Sequence, residues 1–117
     1  MKKILFLALT MMCVNFSFAA DAKDFVAVCP KTAKVLFENE TIRMLLLKQS
    51  KGEVCGIGFH RTHVDYHIKG VDLKIGMPDG SSTIIKIPEG TSFPAGEGVY
   101  SFEVVSGQLE LVIVEFK

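Results

Sequence analysis

His60 and His63 stand two residues apart in a frame of glycines, in the order Gly52-x5-Gly58-x-His60-x2-His63-x6-Gly70. Imidazoles spaced this closely are candidate ligands for a transition metal such as Fe, Zn, Ni, Cu or Mn. Asp65 and His67 follow at two-residue steps. On a strand, His63, Asp65, His67 and Lys69 share one face, and Val64, Tyr66 and Ile68 share the other. Two arrangements satisfy that pattern. Either the polar column points into the fold, where two imidazoles and a carboxylate are expensive to bury without partners, or it is solvated and the apolar face is the core.

Other chemistries leave no trace. The chain has no G-x-S-x-G elbow, no phosphate-cradling glycine loop and no C-x-x-C pair. Thirteen basic and thirteen acidic side chains balance, and no basic patch interleaved with aromatics argues for nucleic acid as a partner.

The elements that must position these residues are strands. Lys34–Glu38, Thr41–Lys48, Val54–His60, His63–Lys69, Val71–Met77, Ser82–Ile87, Val99–Val105 and Leu109–Phe116 are short β-type runs. Asn39-Glu40, Pro78-Asp79-Gly80, Pro88-Glu89-Gly90 and Ser106-Gly107 punctuate them. This is the pattern of an all-β sandwich or barrel. Leu45, Leu47, Val112, Val114 and Phe116 are expected on its interior face, and Phe25–Val28 is expected to add an edge strand.

Residues 1–19 read as a signal peptide: Lys2 and Lys3, the apolar run Ile4–Phe16, then Ser17-Phe18-Ala19 with small residues at the cleavage positions. Removing it leaves a net charge of −2, no further membrane span, and a periplasmic or secreted bacterial protein. Residues 20–33 are an N-terminal extension and 34–117 the barrel domain. Cys29 and Cys55 remain. In an oxidising compartment they are expected to pair, closing a loop of about 27 residues worth about 3–4 kcal/mol, with two buried free thiols as the alternative.

The glycine-framed histidines resemble the first signature of the cupin superfamily, G-x5-H-x-H-x3,4-E-x6-G. KVLFENETIRMLLLKQSKGE (34–53) is similar to the opening strands of small single-domain cupins, VDLKIGMPDG (71–80) to their following hairpin, and LELVIVEFK (109–117) to their closing strand. The second signature, G-x5-P-x-G-x2-H-x3-N, is matched in part by Gly90, Pro94 and Gly96, with altered spacing and with Val104 at the asparagine. The resemblance implies a cupin-like β-barrel, or double-stranded β-helix (jelly roll). It also implies a degenerate metal site. The first ligand histidine maps onto Gly58, the second onto His60, the carboxylate onto His63 and the last histidine onto Tyr100. His60 and His63 are the retained metal candidates, and Asp65 or His67 the substitutes that would complete a set.

Two functions from different classes follow. The first is an exported ligand-binding barrel whose metal site is altered, using His60, His63, Asp65, His67 and Tyr100 around a small molecule. The second is a metal-dependent cupin enzyme of dioxygenase or isomerase type built on His60, His63 and a substitute third ligand. A homodimer is expected, with Val64, Tyr66 and Ile68 as a candidate contact face.

Overall fold

Turn residues cut the described part of the chain into nine strands by side-chain bonding as well as by glycine. The structure, a computed structural model, describes residues 22–117; the expected signal peptide and its cleavage site lie outside the described residues. Strands β1 (Ala33–Glu38) and β2 (Ile42–Gln49) are joined where Asn39 Oδ1 accepts from the Thr41 and Ile42 amides, both at 2.9 Å. Strands β3 (Val54–His60) and β4 (His63–His67) flank Arg61-Thr62. Strands β5 (Val71–Gly76) and β6 (Ser82–Ile87) form a hairpin whose turn is held by Asp79 Oδ1 on the Ser81 amide at 2.8 Å. Strand β7 (Ser92–Ala95) precedes the long pair β8 (Gly98–Gly107) and β9 (Leu109–Phe116). At the junction of that pair, Gly107 has φ +76°, and a Cβ there would lie 2.6 Å from the Gly70 carbonyl. Only glycine fits.

The strands form two antiparallel sheets, ordered β1-β2-β9-β4-β7 and β3-β8-β5-β6, packed face to face as an all-β jelly roll. Their inner faces supply the core, including Leu45, Leu47, Leu73, Phe102, Val104, Leu109 and Leu111. The register of the five-stranded sheet lays its inward residues in rows: Arg43, Glu115, His63, Ala95; then Leu45, Ile113, Asp65, Phe93; then Leu47, Leu111, His67. The sheet thus grades from a charged end to an apolar one, with β4 carrying a polar column through it.

Three expectations are corrected. On β9 the inward residues are Leu109, Leu111, Ile113 and Glu115, so Val112, Val114 and Phe116 lie on the outer face. The inward carboxylate of Glu115 disguised the parity, and it is accommodated by Arg43 directly opposite on β2. Phe25–Val28 is not an edge strand but a single helical turn, α1. Asp24 caps it, its side chain accepting from the Val26 amide at 2.9 Å. Strand β7 was not anticipated, because four residues containing Pro94 carry little strand signal.

Residues of the N-terminal extension belong to the core. Phe25 is 1% exposed, a burial worth about 1.5–3 kcal/mol. The Cys29–Cys55 disulfide is present, with Cα atoms 5.5 Å apart, and ties α1 to β3. The Phe59 amide donates to the Lys23 carbonyl at 2.6 Å, so the segment also adds a short backbone rung beside β3.

Candidate functional site

His60 ends β3 on its inner face and is 3% exposed. Phe25 stacks on one side of its ring at 4.4 Å and Tyr100 on the other at 3.8 Å. Nε2 lies 3.1 Å from the Tyr100 carbonyl; a carbonyl only accepts, so Nε2 carries the proton. Burial, helped by the neighbouring His63 and opposed by the Tyr100 carbonyl, pushes the His60 pKa down to about 4. The ring is therefore neutral at pH 7. Tyr100 is likewise pushed up to about 12, first by burial and then by the charges of Asp65 and Glu115. It is a phenol and not a phenolate at neutral pH.

The reason for this stack is Gly58, two residues earlier on the same face. A Cβ at Gly58 would lie 2.8 Å from Phe25 Cα and 2.9 Å from Phe25 Cβ. The helical turn occupies the space a side chain at position 58 would need. Asp24, just before it, binds Arg43 Nη2 through both carboxylate oxygens at 2.9 and 3.0 Å, and Arg43 Nε donates to Glu115. Capping, ion pairing, ring stacking and a disulfide all converge on one end of the barrel, where Asp24, Arg43, Glu115 and His60 Nε2 have partners.

The β4 column is different. His63, Asp65 and His67 are all buried and point inward. His63 Nδ1 donates to the Arg61 carbonyl at 2.6 Å. That leaves His63 Nε2 3.9 Å from Asp65 Oδ2, and His67 Nε2 lies 3.7 Å from the same oxygen. Both separations exceed hydrogen-bonding reach. Asp65 Oδ1 and both ring nitrogens of His67 are buried with no partner at all. The Phe93 ring packs nearly parallel to His67, with centroids 5.6 Å apart.

All five predicted site residues line a single cavity of about 260 Å³. His60 and Tyr100 wall one side and the β4 column another, while Leu73, Ile85, Phe93 and Leu111 are among the apolar remainder. Phe25, Arg43 and Glu115 were not anticipated beside the site. The signal for the ion pair was two opposite charges at inward positions of two apolar strands. Phe25 gave none, since its partner is 33 residues away in space-filling terms only the fold reveals.

No protein-family model matches this sequence, nor does any curated protein. Solved structures do resemble it. A cupin domain from Bordetella pertussis superposes with a TM-score of 0.62 at 22% identity, over 73% of this chain and 91% of that one. An RmlC-like cupin from Shewanella frigidimarina gives 0.51 at 19% identity, over 72% and 73%. HppE, solved as its Fe(II) form with an alternative substrate, gives 0.54 at 16% identity, over 72% of this chain but 48% of HppE. The chain has the cupin fold.

HppE is an Fe(II) protein, and the cupin positions that would hold such a metal can be tested here residue by residue. Position 58 has no side chain and no room for one. His60 has its Nε2 proton committed to a carbonyl and its ring clamped between two others. Tyr100 keeps its proton. On β4, His63 Nε2 and His67 Nε2 lie 3.9 and 3.7 Å from Asp65 Oδ2, and His63 Nδ1 is committed to the Arg61 carbonyl. Among the described residues no group of three His, Cys, Asp or Glu side chains is disposed to hold a metal ion. The residues present do not fit the cupin metal.

Proposed function

We propose that this is an exported cupin-fold protein that binds a small molecule inside the barrel. One observation carries the reading: a cavity of about 260 Å³, walled mostly by apolar side chains, into which buried and unpartnered Asp65 and His67 project. Buried polar atoms without partners are rare in folded proteins and call for a ligand or ordered water. The signal-like N-terminus and the disulfide support an oxidising, extracytoplasmic location. Among the described residues no helix is long and apolar enough to cross a membrane.

The protein acts as a homodimer in this reading, paired through the outer face of its five-stranded sheet. One row there runs Phe37, Met44, Val114, Val64, Pro94, apolar on all five strands, and the next carries Leu46, Val112 and Tyr66. Phe37 and Tyr66 are each 50% exposed. Five strands about 4.8 Å apart and about 20 Å long present roughly 500 Å². Two such faces together reach the roughly 1,000 Å² that a specific interface needs. A flat apolar face is complementary to a copy of itself, which makes a second copy the fitting occupant.

Native mass spectrometry and elemental analysis of untagged protein isolated from the periplasm test this. The expected result is a dimer carrying a small organic molecule and lacking stoichiometric metal. Stoichiometric metal that disappears in a His60→Ala/His63→Ala variant would instead support the metal-dependent enzyme. A monomer at high micromolar concentration would refute the pairing.

A further inference from the structure

The column on β4 is a set of acceptors. Asp65 contributes two carboxylate oxygens, one of them without any partner. His63 gives its Nδ1 proton to the Arg61 carbonyl, so when the ring is neutral its lone pair is on Nε2, the nitrogen 3.9 Å from Asp65 Oδ2. His67 brings one more ring lone pair, and nothing in the protein answers it. The charges tell the same story. Among the described residues, the buried ones with a fixed charge are Arg43, Asp65 and Glu115, and Arg43 is already taken by Glu115 and by half-buried Asp24. Counting half-buried Asp24 and half-buried Arg61, three carboxylates stand against two guanidiniums, and neither guanidinium is paired with Asp65. Asp65 has no fixed positive charge as a partner. The negative field reaches across the cavity, since Asp65 and Glu115 both disfavour ionisation of Tyr100 on the opposite wall.

We infer, on the premise that the cavity is a binding site, that its ligand is a small organic monocation: an ammonium head set among His63, Asp65 and His67, carrying a compact apolar body. Three N–H donors match the acceptors of the column. The positive charge supplies what Asp65 lacks, and a charge buried here is tolerable only when so paired. The aromatic faces of Phe93 and Tyr100 line the same cavity and favour a cation. The remaining aliphatic wall accepts the body. An anion would meet the Asp65 carboxylate in a cavity whose lining holds no Lys or Arg to receive it.

Four probes of one shape test the assignment in the intact protein: cyclohexylamine, cyclohexanol, cyclohexanecarboxylate and methylcyclohexane, titrated at pH 8 by calorimetry. Cyclohexylamine is expected to bind about ten- to a hundredfold more tightly than cyclohexanol, the range for hydrogen bonds to charged groups. The carboxylate is expected not to bind. Asp65→Asn should erase the preference for the amine over the alcohol, with circular dichroism and thermal unfolding reporting that the variant is folded. Equal affinity for amine, alcohol and hydrocarbon would overturn the cation while keeping the binding role. Tighter binding of the carboxylate would overturn the charge assignment. If none of the four binds, the binding role itself falls with it.

Discussion

Two ends of one barrel interior have been finished in opposite ways. Around Phe25 the chain answers its own groups: a ring between rings, a guanidinium between carboxylates, a cap on a helical turn, a disulfide behind it. Along β4, Asp65 and His67 are as deeply buried yet have unanswered polar atoms. Both regions are inward rows of the same two sheets, so the difference lies in the occupant and not in the framework. The first region is completed by the chain's own N-terminal segment. The second is not completed by the described residues. A satisfied buried cluster contributes stability, whereas an unsatisfied one costs stability until water or a ligand answers it.

Changes at the plugged end should be expensive. Phe25→Ala removes a fully buried ring and is expected to destabilise by about 3–5 kcal/mol in chemical denaturation. A loss below about 1 kcal/mol would mean that the turn is not part of the core. Opening the disulfide comes next. Cys29→Ser/Cys55→Ser should lower stability by about 3 kcal/mol, the loop-entropy value for a separation of 26 residues, and reductant should reproduce the loss in the parent protein. Identical unfolding with and without reductant would show that α1 holds without its tether.

Acid offers a milder probe of the same end. His60 has a folded pKa of about 4 against an ordinary 6.5, so between those values the unfolded chain binds a proton that the folded one does not. Its contribution is complete above pH 6.5 and is lost as pH falls toward 4, by at most about 3 kcal/mol. Denaturation curves at pH 7, 5.5 and 4.5 should show this slope, and His60→Phe should flatten it. A parent protein equally stable at all three values would contradict the buried, neutral ring.

The β4 column should respond least. His67→Leu removes two unpartnered ring nitrogens and Asp65→Asn removes a buried charge, and stability is expected to stay within about 1 kcal/mol or to rise. A loss comparable with Phe25→Ala would reveal partners for these atoms and erase the contrast between the two ends.

Much of this contrast was legible in the residues, and what was not has identifiable causes. Period-2 alternation placed His63, Asp65 and His67 together on one face; which way that face turned needed the sheets. On β9 the same rule was applied with the wrong parity, because Glu115 was not read as an inward residue without its partner Arg43. The emptied ligand position at Gly58 was visible as a missing histidine. Its cause was not, because Phe25 meets Gly58 only through the folded path of the N-terminal segment, and capping by Asp24 turned an apolar run that reads as strand into helix. Strand β7 was too short and too proline-marked to register.

The 2.8 Å between Phe25 Cα and a Cβ imagined on Gly58 also governs the order in which this barrel can change. A histidine gained at position 58 while the turn is docked collides with backbone, which cannot swing aside as a side chain can. If the turn is lost first, the barrel is weaker but open, and either residue then fits. The two substitutions are therefore epistatic with a fixed sequence, and the only passable route toward a metal-binding barrel runs through an unplugged intermediate. A library selected for metal uptake should yield histidine at position 58 only in clones whose residues 24–29 have already been altered, never in the parental background.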